Sequence, residues 1–167
     1  MTDVVTHVRN NLPRCLTGVT ATPLDGSIAD RGPLGVVFSI SKPEKVRVLG
    51  YDLSEYNTDY AGPTEFISPL TLRAEDGTSA CIFDSNIHGY NGEMDSSAKL
   101  RGTGDPREFK CPKCGCNTFN VDVQFDYYDD LLEEFEPAEV PNYFCNIIVR
   151  GTCSECSQQT SILDMDL

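Results

Sequence analysis

A chain of 167 residues, 40% of them hydrophobic and 23% charged, has the composition of a soluble globular protein. It contains no apolar run near the roughly 20 residues of a membrane span, which excludes a helical integral membrane protein. A formal net charge of −13 repels phosphate, so nonspecific nucleic-acid binding and anionic membranes are disfavoured and a basic protein becomes the complementary partner.

That charge is unevenly placed. Residues 1–109 hold 10 Lys or Arg against 15 Asp or Glu, net −5, whereas residues 110–167 hold 3 against 11, net −8. The first residues, Met1 to His7, lack the basic start and apolar core of a secretory signal, so a reducing, cytoplasmic location is the expectation. The length suits a domain of about a hundred residues followed by a small appendage.

Residues 2–12 carry Val4, Val5, Val8 and Leu12 close to a helical stripe, with Thr2 or Asp3 as a cap and Pro13 as a stop. The run is short and β-branched, so an edge strand fits equally. His7 between apolar neighbours reads as a surface or packing histidine before it reads as a ligand or base.

From residue 16 to about 90 the pattern is β. Leu16 to Thr22, Leu34 to Ile40 and Lys45 to Tyr51 are short runs rich in branched and aromatic residues, separated by Pro23, Asp25-Gly26, Gly32-Pro33 and Lys42-Pro43. Phe66 to Arg73 and Ser79 to Asp84 flank Glu75-Asp76-Gly77, whose Asp-Gly step tolerates positive φ, and the two form a candidate hairpin.

The segment Asp84 to Glu93 then gathers His88, Tyr90 and two carboxylates, the nearest approach on this chain to a catalytic constellation. Its Asn, Gly and Asp residues are also what a tight turn needs, and no spacing supplies a nucleophile or an orienting partner. The turn reading is preferred; were the segment to act, His88 with Glu93 or Asp84 would be the pair. Residues 94–108, with Ser96-Ser97, Gly102-Thr103-Gly104 and Asp105-Pro106, read as a linker or long loop between a mainly β domain at 1–93 and a second unit at 109–167. Gly102-Thr103-Gly104 is too short for a phosphate loop.

The second unit contains the strongest signal. Cys111-Pro112-Lys113-Cys114-Gly115 and Cys153-Ser154-Glu155-Cys156 each place two thiols at C-x-x-C spacing on a tight turn, with 38 residues between the inner cysteines. Four thiolates so spaced can close a tetrahedral cage around Zn²⁺, and such a closed site is structural, because it leaves no open position for water or substrate. Eight cysteines also permit disulfides or a redox role, but a reducing compartment favours metal, and a redox C-x-x-C needs a βαβ setting that neither motif has.

Cys116 lies just past the first pair and competes in principle with Cys114 as a ligand, but the C-x-x-C pair gives the more usual chelate. Cys145 alternates with Tyr143 and Ile147 and reads as a core residue, while Cys15 and Cys81 read as ordinary buried cysteines.

A strand-like run, Thr118 to Phe125, follows the first pair; a second, Tyr143 to Arg150, enters the second pair, and Thr160 to Leu163 leaves it. In this order the segment of about residues 109–167 resembles the zinc-ribbon superfamily. The resemblance implies a ribbon fold and one structural Zn²⁺ with Cys111, Cys114, Cys153 and Cys156 as ligands. Ribbon proteins range from transcription factors to ribosomal and purely structural proteins, so no activity is implied.

Between the ribbon strands lies an acidic insertion, about residues 126–140. No Lys or Arg occurs from Cys114 through Val149, yet eight acids fall between Asp122 and Glu139. Tyr127, Tyr128, Leu131, Leu132 and Phe135 recur at helical spacing among Asp129, Asp130, Glu133, Glu134 and Glu136, and Pro137 supplies a stop, which predicts one short amphipathic helix. Its apolar stripe either docks on the protein's own core or, with Tyr128, Asp129, Asp130, Leu131, Glu133, Glu134 and Phe135, receives a basic partner.

The expected architecture is therefore mainly β, a β-rich α+β chain with an N-terminal antiparallel β domain and a C-terminal zinc ribbon. The expected function is a non-enzymatic, zinc-containing acidic protein that binds a basic protein, in the manner of an immunity protein or inhibitor of a toxin. The alternative is a zinc-ribbon adaptor subunit in a transcription, translation or other nucleic-acid-processing complex. The sequence leans against an enzyme because it shows no recognisable catalytic set.

Overall fold

The computed structural model describes residues 4–14, 16, 21–23, 36–40, 45–87, 100–128 and 130–166. The fold is mainly β, built around an antiparallel sheet with two short helices among the described residues. No helix among them is long and apolar enough to cross a membrane.

Helix α1 spans Val4–Asn10. Val4 and Val8, one turn apart and so on one face, are both buried, which settles the helix-or-strand ambiguity in favour of the helix. Its last carbonyls are satisfied locally: the side-chain amides of Asn10 and Asn11 donate to the carbonyls of Thr6 and His7, at 3.0 and 2.9 Å.

The strands are β1 (Ala21–Pro23), β2 (Val36–Ile40), β3 (Val46–Asp52), β4 (Phe66–Ala74), β5 (Ser79–Phe83), β6 (Arg107–Glu108), β7 (Phe119–Asp126), β8 (Asn146–Cys153) and β9 (Gln159–Asp166), with α2 (Leu131–Glu134) between β7 and β8. Along the sheet the order is β1-β2-β7-β3-β4-β5; β8 pairs with β7 and β9, and β6 pairs with β3.

Strand β7 is the hub. It meets β8 along its whole length, from Phe119↔Cys153 to Asp126↔Asn146, while its other edge is shared between β2, from Val36↔Phe125, and β3, at Val46↔Phe119. Strands from before and after residue 109 thus lie in one sheet. Phe119, Val121, Val123 and Phe125 point into the core while Asn120 and Asp122 face out, the alternation expected of one buried face. Gln124 breaks the pattern and is buried, yet its amide is satisfied by Asp126 at 2.9 Å and by Arg150 at 3.3 Å.

The β4–β5 hairpin closes at Glu75-Asp76-Gly77 as its sequence predicts. Gly77 takes φ +85, and Asp76 accepts from the Thr78 amide at 2.9 Å. Residues 100–108 run back along this half of the sheet: the Gly102 amide donates to the Ser68 carbonyl at 2.9 Å, the Tyr51 hydroxyl donates to the Gly104 carbonyl at 2.7 Å, and β6 pairs with β3. Gly102 lies so close to the Tyr51 ring that a Cβ would fall 1.8 Å from it.

Phe66, Phe109 and Phe119 connect the two halves of the core edge to face, with ring centroids 5.2 and 5.7 Å apart. A second, smaller cluster forms around Tyr51, Leu53 and Ile67.

The insertion between β7 and β8 departs from the expected amphipathic helix. Only one turn forms, α2, and the chain turns extended at Phe135, φ −124 and ψ 157. Pro137 disfavours helical backbone at Glu136 before it, and the neighbouring acids have no basic residue at i+4 to support a longer helix. The apolar residues mostly turn inward. Tyr127 and Leu131 are buried, Phe135 stacks on Tyr143 at 4.2 Å, and the Tyr127 hydroxyl donates to the Pro141 carbonyl at 2.8 Å. Helix α1 and the residues after it brace this segment, with His7 Nε2 2.6 Å from the Pro137 carbonyl and Arg14 paired to Glu139 at 2.7 Å.

Candidate metal centre

The first C-x-x-C turn leaves the sheet after β6, and the second joins β8 to β9. Both use one backbone pattern. The Cys111 amide donates to the Cys116 carbonyl at 2.8 Å and the Gly115 amide to the Cys111 carbonyl at 2.8 Å; the Cys153 amide donates to the Gln158 carbonyl at 2.9 Å and the Ser157 amide to the Cys153 carbonyl at 3.0 Å. Four residues after each leading cysteine the chain enters the left-handed region, at Gly115 (φ +76) and at Ser157 (φ +57). Glycine makes this free of cost in the first turn, while serine accepts modest strain in the second.

Because Phe119 pairs with Cys153, the β7–β8 ladder brings the turns face to face. The sulfurs of Cys111, Cys114, Cys153 and Cys156 all lie within 4.8 Å of one another. The cross-turn pairs Cys111–Cys156 and Cys114–Cys153 are each 3.6 Å apart. A tetrahedron with Zn–S bonds of about 2.3 Å has sulfurs about 3.8 Å apart, close to the 3.6 Å of the two cross-turn pairs, so the four thiols suit a tetrathiolate metal ion with shifts of no more than about 1 Å. Those four residues would hold the metal, and a metal so enclosed supplies cross-linking and charge neutralisation. Cys111 and Cys153 are buried, whereas Cys114 is exposed and Cys156 half-buried, so the centre sits at the surface with one side against the core.

Proton affinities divide along the same line. Burial would push the Cys111 thiol up, but the amides of Cys114 and Lys113 and the neighbouring thiols outweigh it and bring it down to about 7. Cys153 is lowered, chiefly by the Cys156 amide. At Cys114 the Cys116 amide pulls downward, yet burial and the surrounding thiols prevail and push it up to about 12. Cys156 is also raised; the Gln158 amide lowers it, but burial and the Cys111 and Cys153 side chains outweigh that. Four such sulfurs cannot all carry charge unless a cation joins them.

The other cysteines separate from this group. Cys116 stands between the turns in contact with Thr118 and Ser154. Cys145 precedes β8 rather than alternating within it, half-buried, its thiol 3.4 Å from the Asp126 carbonyl. Cys81 is half-buried on β5, its thiol pushed up to about 11 by burial first and Asp84 second. Cys15 lies outside the described residues.

His88 and Glu93 lie outside them too. Asp84 is described, and its carboxylate faces both terminal nitrogens of Arg101, with Nη2 3.2 Å from Oδ2, while accepting from the Asn86 amide at 3.0 Å. Its exposure is only 14%, so this is a partly desolvated, two-point ion pair that ties the end of the β4–β5 hairpin to residue 101. Asp84→Asn is expected to lower the stability of the folded protein by about 1.5–3 kcal/mol, measured as a shift of the urea midpoint at unchanged slope. An unshifted midpoint would mean that the pair holds nothing in place.

Of the residues in the acidic insertion, Tyr128 is 51% exposed, and Asp130, Glu133 and Glu134 also face solvent. Leu131 is buried and Phe135 half-buried, so these two serve the core; Asp129 is outside the described residues. Sequence reasoning passed over Thr118 and Ser154, whose hydroxyls meet at 2.6 Å beside the four-cysteine cluster. Only the position of each next to a C-x-x-C turn hinted at this. Comparisons with models of known protein families, with curated proteins and with solved structures found no match for the chain.

Proposed function

We propose that this is a non-enzymatic protein of the zinc-ribbon type, in which one structural Zn²⁺ on Cys111, Cys114, Cys153 and Cys156 holds an acidic surface in shape for a basic protein partner. The observation that carries the metal is the convergence of four sulfurs from two turns of matching backbone. Such a centre offers no vacant coordination position, which favours a scaffold over a catalyst.

The partner reading rests on charge. The chain carries −13, and zinc bound by four thiolates adds about two further negative charges locally. Exposed Tyr128 beside Asp130, Glu133 and Glu134 provides an aromatic anchor among acids, the chemistry that receives an Arg- or Lys-rich surface such as that of a toxin neutralised by its immunity protein. Charge steering then speeds the encounter.

Capture from the native cell with the zinc-loaded protein as bait is expected to return a small basic protein. Its association rate should fall steeply as salt rises, and Tyr128→Ala should weaken binding about ten-fold or more while leaving the fold intact. Recovery of polymerase or ribosomal subunits instead would replace this reading with that of an adaptor, and a salt-independent association rate would remove the acidic face from it.

A further inference from the structure

We infer that Cys116, Thr118 and Ser154 form a clasp between the two cysteine turns that governs how long the metal is retained, with Cys116 acting as a positioning residue and not as a fifth ligand. The inference rests on the reading of the four-cysteine site as a zinc centre.

The Cys116 sulfur lies 3.2 Å from Thr118 Oγ1 and 3.8 Å from Ser154 Oγ, and it accepts from the Thr118 amide at 3.5 Å. The two hydroxyls lie 2.6 Å apart, and the Ser154 amide donates to the Thr118 carbonyl at 3.1 Å. All three side chains are half-buried. Cys116 follows the ligand Cys114 by two residues and Ser154 directly follows the ligand Cys153, so the network joins the backbone beside one turn to the backbone beside the other. It also extends the β7–β8 ladder one residue past its last strand pair, Phe119↔Cys153.

This placement matters because each turn alone supplies two sulfurs. A metal held by two thiolates is lost readily to a competing chelator, whereas one held by four is not, so release requires the turns to part. Parting opposes the close sulfur pairs across the turns, and it must also break the hydroxyl and thiol contacts that lie beside them. Groups that hold ligands in position from just outside the coordination sphere commonly change metal affinity by about 10- to 100-fold. The Cys116 sulfur is already occupied by an amide and two hydroxyls, and it is not among the four that converge.

The test uses the full chain loaded with one equivalent of Zn²⁺ and follows release to the chromogenic chelator 4-(2-pyridylazo)resorcinol, with Co²⁺ substitution to report the ligand set. Ser154→Ala and Thr118→Val are each expected to speed zinc release about ten-fold, with one metal per chain and an unaltered cobalt–thiolate spectrum. Ser154→Thr should restore the parental rate. Cys116→Ser, which keeps a hydrogen-bonding group in place, should bind one metal with the same cobalt spectrum. Parental release rates in both Ser154→Ala and Thr118→Val would overturn the clasp, and loss of cobalt–thiolate absorbance in Cys116→Ser would make Cys116 a ligand. Absence of bound metal in the parent protein would overturn the zinc reading itself, and the clasp with it, which distinguishes that failure from the other two.

Discussion

Removal of the proposed metal by a strong chelator under reducing conditions is expected to disorder the two cysteine turns and to strip strand structure from about residues 109–167. Structural zinc in small modules supplies folding free energy on the order of 10 kcal/mol, more than the net stability of most domains this size. The reason lies in what replaces it. Without a cation, four thiols whose proton affinities are pulled in opposite directions are left within 4.8 Å of one another, two of them against the core, and nothing ties the two turns together. The loss starts where β7 and β8 begin and end, at Phe119↔Cys153, and runs along β7 toward its contacts with β2 and β3. Limited proteolysis and circular dichroism with and without chelator measure this, and elemental analysis of the untreated protein should return one zinc per chain. Cys153→Ser should reproduce the chelated state. Metal-free protein with unchanged strand content and unchanged cleavage would mean that the sulfurs meet without the ion contributing to the fold.

Phe119→Ala is expected to cost the zinc-loaded protein about 3–5 kcal/mol, read from urea unfolding. Phe119 is fully buried, its ring packs edge to face on Phe109, and its backbone pairs with Val46 on one side and Cys153 on the other. The cavity would open at the place where strands from both ends of the chain meet. Little can collapse into it, because Gly151, the diagonal neighbour on β8, presents no side chain to fill the space beside Phe119 and Ile162. The same variant should also bind zinc more weakly, since Thr118 and Cys153 take their positions from this pairing. Tyr128→Ala, at the exposed edge of the insertion, serves as the control and should change stability by no more than about 0.5 kcal/mol. Similar losses for the two variants would mean that the ring junction is not a principal support of the core.

Much of the strand content was legible because its signals are local. Gly77 at the hairpin turn, the branched run at Val46 to Tyr51 and the alternation at Phe119 to Phe125 each depend on residues a few positions apart, and each lies in a strand or turn of the expected kind. The insertion was less legible. Tyr127, Leu131 and Phe135 have helical spacing, but periodicity carries no information about length, and Pro137 with its surrounding acids reduces the helix to one turn. Residues 101–108 lack large apolar groups, so nothing local announced that Gly102 would pack against Tyr51 or that Arg101 would meet Asp84; both contacts depend on close approach between distant segments.

Chemistry shows the same division. The spacing of Cys111, Cys114, Cys153 and Cys156 named the thiols of the candidate centre from sequence alone, because a two-residue gap constrains each pair to one turn whatever surrounds it. Which sulfurs face each other, which lie against the core and which stay at the surface were decided by the register of β7 on β8, a long-range pairing that no local pattern encodes. Spacing already favoured the C-x-x-C pair over Cys116, and the tertiary structure adds the physical separation, by placing the Cys116 sulfur between Thr118 and Ser154.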